Sequence, residues 1–357
     1  MNLDGRFITQ SQRRVGRQHL WARPAEGLVD RILGGGQLEK ILKASEDIAI
    51  PLPIGCLPQV AAYRGMLLPV PQGGGFSSLG DLISEATSGG KLQPLVFQKT
   101  GATGVASSSS TLWYAAGMPA AGANAAAMSS NGADQSVSTT GALKFTNPAG
   151  GDTTHIVSAW AMPSVALNTL LLFDRIWGGA MAFSSAAEQT FTMTAARYAG
   201  TGAGGSSIGN GVILAISVTL GATAHTWSFK YKDDNDNTAE ASGAVTGVSG
   251  AVTPRLDVAA SQPFFAALNS GDLGASKLTS FTWSTASLTV GAGQLVLAHP
   301  LLFIPQPVAN QMVIIDGINS AFNLVRVYDS ACLSFLELWK NATTATNYQG
   351  TINLVSG

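Results

Sequence analysis

Charge is scarce in this chain. Only 11% of its 357 residues are Asp, Glu, Lys or Arg, against about 25% in an ordinary soluble domain. So little charge argues against a lone monomer solubilised by its own surface. It suits a chain whose faces are covered by copies of itself or by neighbours. Cysteine is nearly absent, with Cys56 and Cys332 far apart in apolar settings. That excludes a disulfide scaffold and a cysteine metal site. The four histidines, His19, His155, His225 and His299, have no second His or Cys at ligand spacing, and they read as structural. No apolar run reaches 18 residues, so no spanning helix is expected. The opening residues lack the apolar core of a secretory leader.

Catalytic motifs are missing too. No Gly-x-Ser-x-Gly elbow sits in a strand–turn–helix context. No carboxylate pair stands out as a glycosidase dyad. "GAGGSSIGNG", 202–211, lacks the lysine of a phosphate cradle and opens no helix. "DDNDN", 233–237, has neither the glycine nor the terminal Glu of a calcium loop and reads as a hairpin turn. No enzyme activity, metal or cofactor is expected.

What remains is mostly Gly, Ala, Ser and Thr around short apolar segments. Residues 1–24 carry five arginines against Asp4, so the rest holds 20 − 5 = 15 basic and 21 − 1 = 20 acidic groups. A short basic arm on a mildly acidic body suits docking on an acidic partner. It is too small for a nucleic-acid module. Residues 1–60 read as that arm. "RPAEGLVDRIL" and "QLEKILKAS" are short amphipathic helices, and "IAIPLPIGCLPQV" is extended because of its prolines. "GDLISEATSGGKL" allows one short helix.

From about residue 89 the chain reads as β, with turn signals every 8–12 residues. Strands are predicted in "LQPLVFQKT", "STLWYAAG", "ALKFTNP", "HIVSAWAMP", "TLLLFDRIW", "QTFTMTAARYAG", "VILAISVTL", "MVIIDGINSAFNLVRVYD" and "ACLSFLELW". "FTWSTASLTVGAGQLVLAHPLLFIP" holds two more. His225, Trp227, Phe229 and Tyr231 alternate with polar residues toward a hairpin. Residues 117–140, with no apolar period, read as a long loop or a lightly packed surface segment. The fold class is mainly β: an antiparallel β-sandwich or jelly roll over 61–340, with a possible subdomain boundary near 150 and a tail strand or mobile terminus at 341–357. Alternating aromatics (Trp113, Tyr114, Trp160, Trp177, Tyr198, Trp227, Tyr231, Trp283) belong to a core or a subunit interface before a sugar-binding face. Trp227, Phe229, Tyr231 and Asp272 are the interface candidates.

"LLLFDRIWGGAMAF" places Asp174 and Arg175 just before Trp177, Gly178 and Gly179. Together with "TFTMTAARY", "VILAISVTLGATAHTWSFKYKDDNDN" and "FFAALNSGDLGASKLTSFTWSTAS", it forms an ordered set over residues 155–305. The set resembles a family of tailed-bacteriophage virion structural proteins. The matching positions are Asp174, Arg175, Gly271, Asp272, Gly274 and Ser280. The resemblance implies a capsid decoration or minor capsid protein of the virion, made in the host cytoplasm and oligomeric, with a trimer as first guess. Arg13, Arg14, Arg17 and Arg23 of the arm would then dock on the major capsid protein. A tail, collar or baseplate component and a virion-surface carbohydrate-binding module are the alternatives. In this setting Asp174–Arg175 is expected to end a buried strand and fix a corner before Gly178–Gly179.

Overall fold

Two kinds of apolar pattern run through the chain, and they take different places in the fold. Segments with an apolar residue at every second position cover one face. Segments with unbroken apolar runs are covered on both. The computed structural model describes residues 75–101, 108–183, 187–194, 197–198, 206–237, 240–259, 262–284, 291–318, 324–340 and 344–357. The chain divides into two units, Met1–Ala61 and Ala62–Gly357, and every described residue belongs to the second. The two arm helices, the Pro-rich segment, Cys56 and the docking arginines Arg13, Arg14, Arg17 and Arg23 lie outside the described residues.

In chain order the elements are α1 (Leu79–Thr87), β1 (Leu92–Thr100), β2 (Ser108–Thr111), β3 (Gly117–Met118), a 3₁₀ turn (Met128–Ser130), β4 (Ala133–Asp134), β5 (Thr154–Pro163), β6 (Asn168–Ala182), β7 (Gln189–Thr190), β8 (Gly211–Val218), β9 (Thr226–Asp233), β10 (Glu240–Ala241), β11 (Val245–Thr246), β12 (Ala275–Trp283), β13 (Ala292–Gln306), β14 (Val313–Asp316), β15 (Val325–Val327), β16 (Leu333–Lys340) and β17 (Asn347–Ser356). Helix α1 begins where the Ser78 hydroxyl accepts from the Asp81 amide, which satisfies one of the donors a helix start leaves open.

The protein is mainly β, and its sheets are antiparallel. The strands form three sheets. The central one runs β2-β16-β6-β13-β8, with β4 also on β6. One outer sheet runs β14-β5-β17-β1-β3, with β15 on β5, and the other runs β10-β9-β12-β7, with β11 on β9. The unbroken runs make the central sheet. On β6, Leu170 and Leu172 join Leu95, Phe97, Ile352 and Leu354 of the first outer sheet in one core. Leu171 and Phe173 point the other way, into a second core with Trp227, Phe229, Tyr231, Phe281 and Trp283. "LLLF" is thus apolar throughout because both faces of β6 are buried. Each such Leu contributes about 1.5–3 kcal/mol by leaving water.

Several expectations change. "ALKFTNP" forms no strand; Leu143 makes only an isolated bridge to Leu333. In "STLWYAAG" the strand stops at Thr111. In "QTFTMTAARYAG" it covers Gln189–Thr190 alone, although Phe191 and Met193 are buried as the alternation implies. No boundary falls near residue 150, because β1 pairs with β17 and β2 with β16 across it. Of the two readings of 341–357, the structure takes the strand: β17 (Asn347–Ser356) lies between β5 and β1.

Candidate functional site

Strand β6 carries Asp174 and Arg175 through its middle. It continues to Ala182, so the chain makes no turn at Gly178–Gly179. The corner expected of Asp174, Arg175, Trp177, Gly178 and Gly179 is instead a break in pairing. Leu297 faces Trp177 and Ala298 faces Arg175, which leaves Ile176 unmatched as a bulge. On its other edge β6 exchanges neighbours at the same place. Leu333 of β16 faces Asp174, and Asp134 of β4 faces Trp177. The glycines serve close approach. A Cβ on Gly178 would stand 2.1 Å from Gln294 Nε2, and one on Gly179 2.5 Å from the Trp177 ring.

Asp174 and Arg175 do not pair with each other. Asp174 is fully buried and faces Arg197, whose Nε donates to Oδ2 at 2.9 Å and whose Nη2 donates to Oδ1 at 3.0 Å. The Cys332 amide donates to Oδ1 at 2.8 Å. Arg197 Nη2 also reaches the Gln135 carbonyl at 2.7 Å. Burial pushes the Asp174 carboxyl up; the Arg197 fork and the Cys332 amide push it down. Three N–H donors aimed at two oxygens fit the ionised form. Arg175 lies over the Trp113 ring, with its guanidinium carbon 3.8 Å from the centroid. Burial raises the neighbouring Cys332 thiol to about 12, which keeps it protonated and unreactive.

A second buried pair lies between β9 and the segment before Val258. His225 Nε2 is 3.0 Å from Asp257 Oδ2, with both side chains fully buried. His225 Nδ1 is 3.0 Å from the Thr223 carbonyl. Both ring nitrogens therefore face acceptors, and only the imidazolium can donate to both. Burial pulls the His225 pKa down, but the hydrogen bond and charge of Asp257 outweigh it and the pKa is raised. With both nitrogens occupied, His225 has none left to activate a nucleophile. Asp257 also accepts from the Val248 amide at 2.8 Å.

Lys99 is 2% exposed and has no carboxylate partner among the described residues; Nζ donates to the carbonyls of Pro119 at 2.6 Å and Ala115 at 3.1 Å. Burial lowers its pKa to about 8. His299 is half-buried, and desolvation alone lowers its pKa to about 4. Its Nδ1 meets Asn210 Oδ1 at 2.8 Å. In "DDNDN" the Asp233 carboxylate accepts from the Asn235 and Asn237 amides at 2.9 and 2.7 Å, so the turn is closed on itself. Among the described residues no group of three or more His, Cys, Asp or Glu is placed to hold a metal.

The interface candidates fare differently from expectation. Trp227, Phe229 and Tyr231 are at most 2% exposed and fill the core against the central sheet. A subunit contact cannot reach them, because their alternating face is covered by this chain's own β6, β8 and β13. Asp272 is half-buried and accepts a hydrogen bond from the Tyr231 hydroxyl. The open face lies elsewhere, on the first outer sheet. Ile314 pairs with Trp160, Trp160 with Thr351, and Thr351 with Val96, a row that shares one side of the sheet. Ile314 is 60% and Val96 53% exposed. The flanking rows are Met162–Gln349–Gln98–Met118 and Asp316–Ser158–Asn353–Pro94. Asp316 is the one charged residue in the three rows.

Arg197, Asp257 and Lys99 were not singled out from the sequence. Their partners lie 23, 32 and 16 residues or more away. The available signal was scarcity: in a chain this poor in charge, a charged residue inside an apolar segment needs a partner. No protein-family model, curated protein or solved structure matches this chain.

Proposed function

We propose that this chain is a non-enzymatic structural component of a tailed-bacteriophage particle, a capsid decoration or minor capsid protein that associates through its β body. The observation that carries this reading is the nearly uncharged outer face around Ile314, Trp160, Thr351 and Val96. A sheet face with so little charge and with Ile314 and Val96 exposed suits a contact surface. The resemblance of residues 155–305 to virion proteins supplies the particle. Its motif residues have structural work here: Asp174 holds Arg197, and Asp272 holds the Tyr231 hydroxyl. The arm arginines Arg13, Arg14, Arg17 and Arg23 would add contacts to acidic groups of the major capsid protein. A cement protein that binds only the assembled shell stabilises it by mass action.

Locating tagged protein on purified particles by electron microscopy tests the reading. Label spread over the head supports decoration. Label confined to neck or tail favours the collar or baseplate alternative. Particles without label refute a virion role.

A further inference from the structure

Arg175 is a buried cation without a counter-charge among the described residues. It is 2% exposed, and among the described residues it forms no salt bridge. Its Nη1 is buried and donates to nothing. The adjacent carboxylate of Asp174 is committed to Arg197. A guanidinium cannot shed its proton to escape this position. Its contact with Trp113 offsets only part of the lost hydration.

Beside it lies a cavity of about 10 Å³, lined on one side by Thr111, Trp113, Tyr114 and Arg175 and on the other by apolar residues of β6, β8 and β13. That volume holds one water-sized particle. The Thr111 oxygen accepts from the Trp113 amide at 3.0 Å, which leaves the hydroxyl hydrogen to donate. The Tyr114 hydroxyl meets Asn124 Oδ1 at 2.6 Å and Gln294 Oε1 at 3.0 Å, so its proton is already taken. The cavity thus has donors and a positive charge but no negative one. Water would hydrate Nη1 without neutralising it. Phosphate, sulfate and carboxylates are too large for the space. A halide ion is the smallest anion that supplies the missing charge, and chloride is only somewhat larger than a water.

We propose that this cavity is a binding site for a single halide ion, chloride under ordinary conditions, held by Arg175 Nη1 and the Thr111 hydroxyl. The site is independent of the virion reading. Folding is then linked to chloride, because the ion binds only the folded chain.

The test is thermal unfolding of the full chain in sodium gluconate, with chloride replacing gluconate at constant ionic strength. A saturating rise in Tm of at least about 2 °C is expected, a shift on the scale of ligand linkage for a chain of this size. Bromide should reproduce it, and crystals grown in bromide should show an anomalous peak beside Nη1. Arg175→Met should abolish the response. If that variant does not fold, the bromide peak in the unaltered protein decides. Equal Tm in gluconate and chloride, a chloride response that survives Arg175→Met, or water density without a bromide peak each overturns the proposal.

Discussion

Removing the Asp174 carboxylate probes a charge at 0% exposure in the central sheet. Breaking one side of a buried ion pair costs about 3–5 kcal/mol, because the other charge is left without compensation. In Asp174→Ala the orphan is Arg197, whose side chain is 16% exposed. It keeps the Gln135 carbonyl at 2.7 Å and the Arg175 carbonyl at 3.3 Å. That places the loss near the lower end, about 3 kcal/mol. The reverse change, Arg197→Met, strands a carboxylate at 0% exposure with only the Cys332 amide left. Its cost belongs near about 5 kcal/mol. The double variant Asp174→Leu/Arg197→Met removes both charges and should be less damaging than Arg197→Met alone. Equilibrium urea unfolding reads these differences as shifts in midpoint at unchanged m. In a thermal scan about 3 kcal/mol corresponds to a drop of roughly 6–12 °C. An Asp174→Ala loss below about 1 kcal/mol, the scale of an exposed pair, would refute the reasoning. So would a double variant weaker than both singles.

The His225–Asp257 pair gives the protein a pH dependence of definite sign. The folded pKa of His225 is raised above an unfolded value of about 6.5. The pair's stabilisation is therefore complete below about pH 6.5 and is lost as pH rises through the folded pKa. The Tm of the unaltered chain should fall from pH 6.5 to 8.5, and that of His225→Gln should stay flatter across the window; parallel profiles would exclude the imidazolium. On the outer face, Trp160→Glu places a charge between Ile314 and Thr351. Sedimentation should show an oligomer for the unaltered protein and a monomer with a native circular dichroism spectrum for the variant. An unaltered chain that sediments as a monomer at tens of micromolar would remove this face as a self-contact.

The strands were legible where alternation is simple. "LQPLVFQKT" buries Leu95, Phe97 and Lys99 and exposes Pro94, Val96 and Gln98, as a period of two requires. The unbroken runs of β6 and β8 also read as strands, but their length conceals a cover on each face. Periodicity says that Trp227, Phe229 and Tyr231 share an apolar face. It cannot say whether the same chain or another covers it, and here the same chain does. Gly178–Gly179 misled for a related reason. A glycine pair after an apolar run signals a turn by composition, whereas here it makes room for Gln294 and the Trp177 ring. The partners of Asp174 and His225 depend on how three sheets stack, and no local pattern records that.

The scarcity of charge acquires a spatial meaning in the fold. Asp174 fastens β6 to Arg197 and to the amide that opens β16. His225 and Asp257 tie the start of β9 to the Val248 segment. Lys99 gathers the carbonyls of the loop around β3 onto β1. The core is mostly Leu, Phe, Val, Ile and Trp, and hydrophobic burial has no direction of its own. Directional bonds from buried charges do distinguish one register from the next, since a slip of one residue would turn each charge to the wrong face. Charges used inside are not available outside. The three rows of the first outer sheet around Ile314, Trp160 and Val96 hold Asp316 as their lone charge. The same few residues that make the interior specific thus leave an outer face with little charge to keep it in water, which is the physical basis for the association we propose through that face.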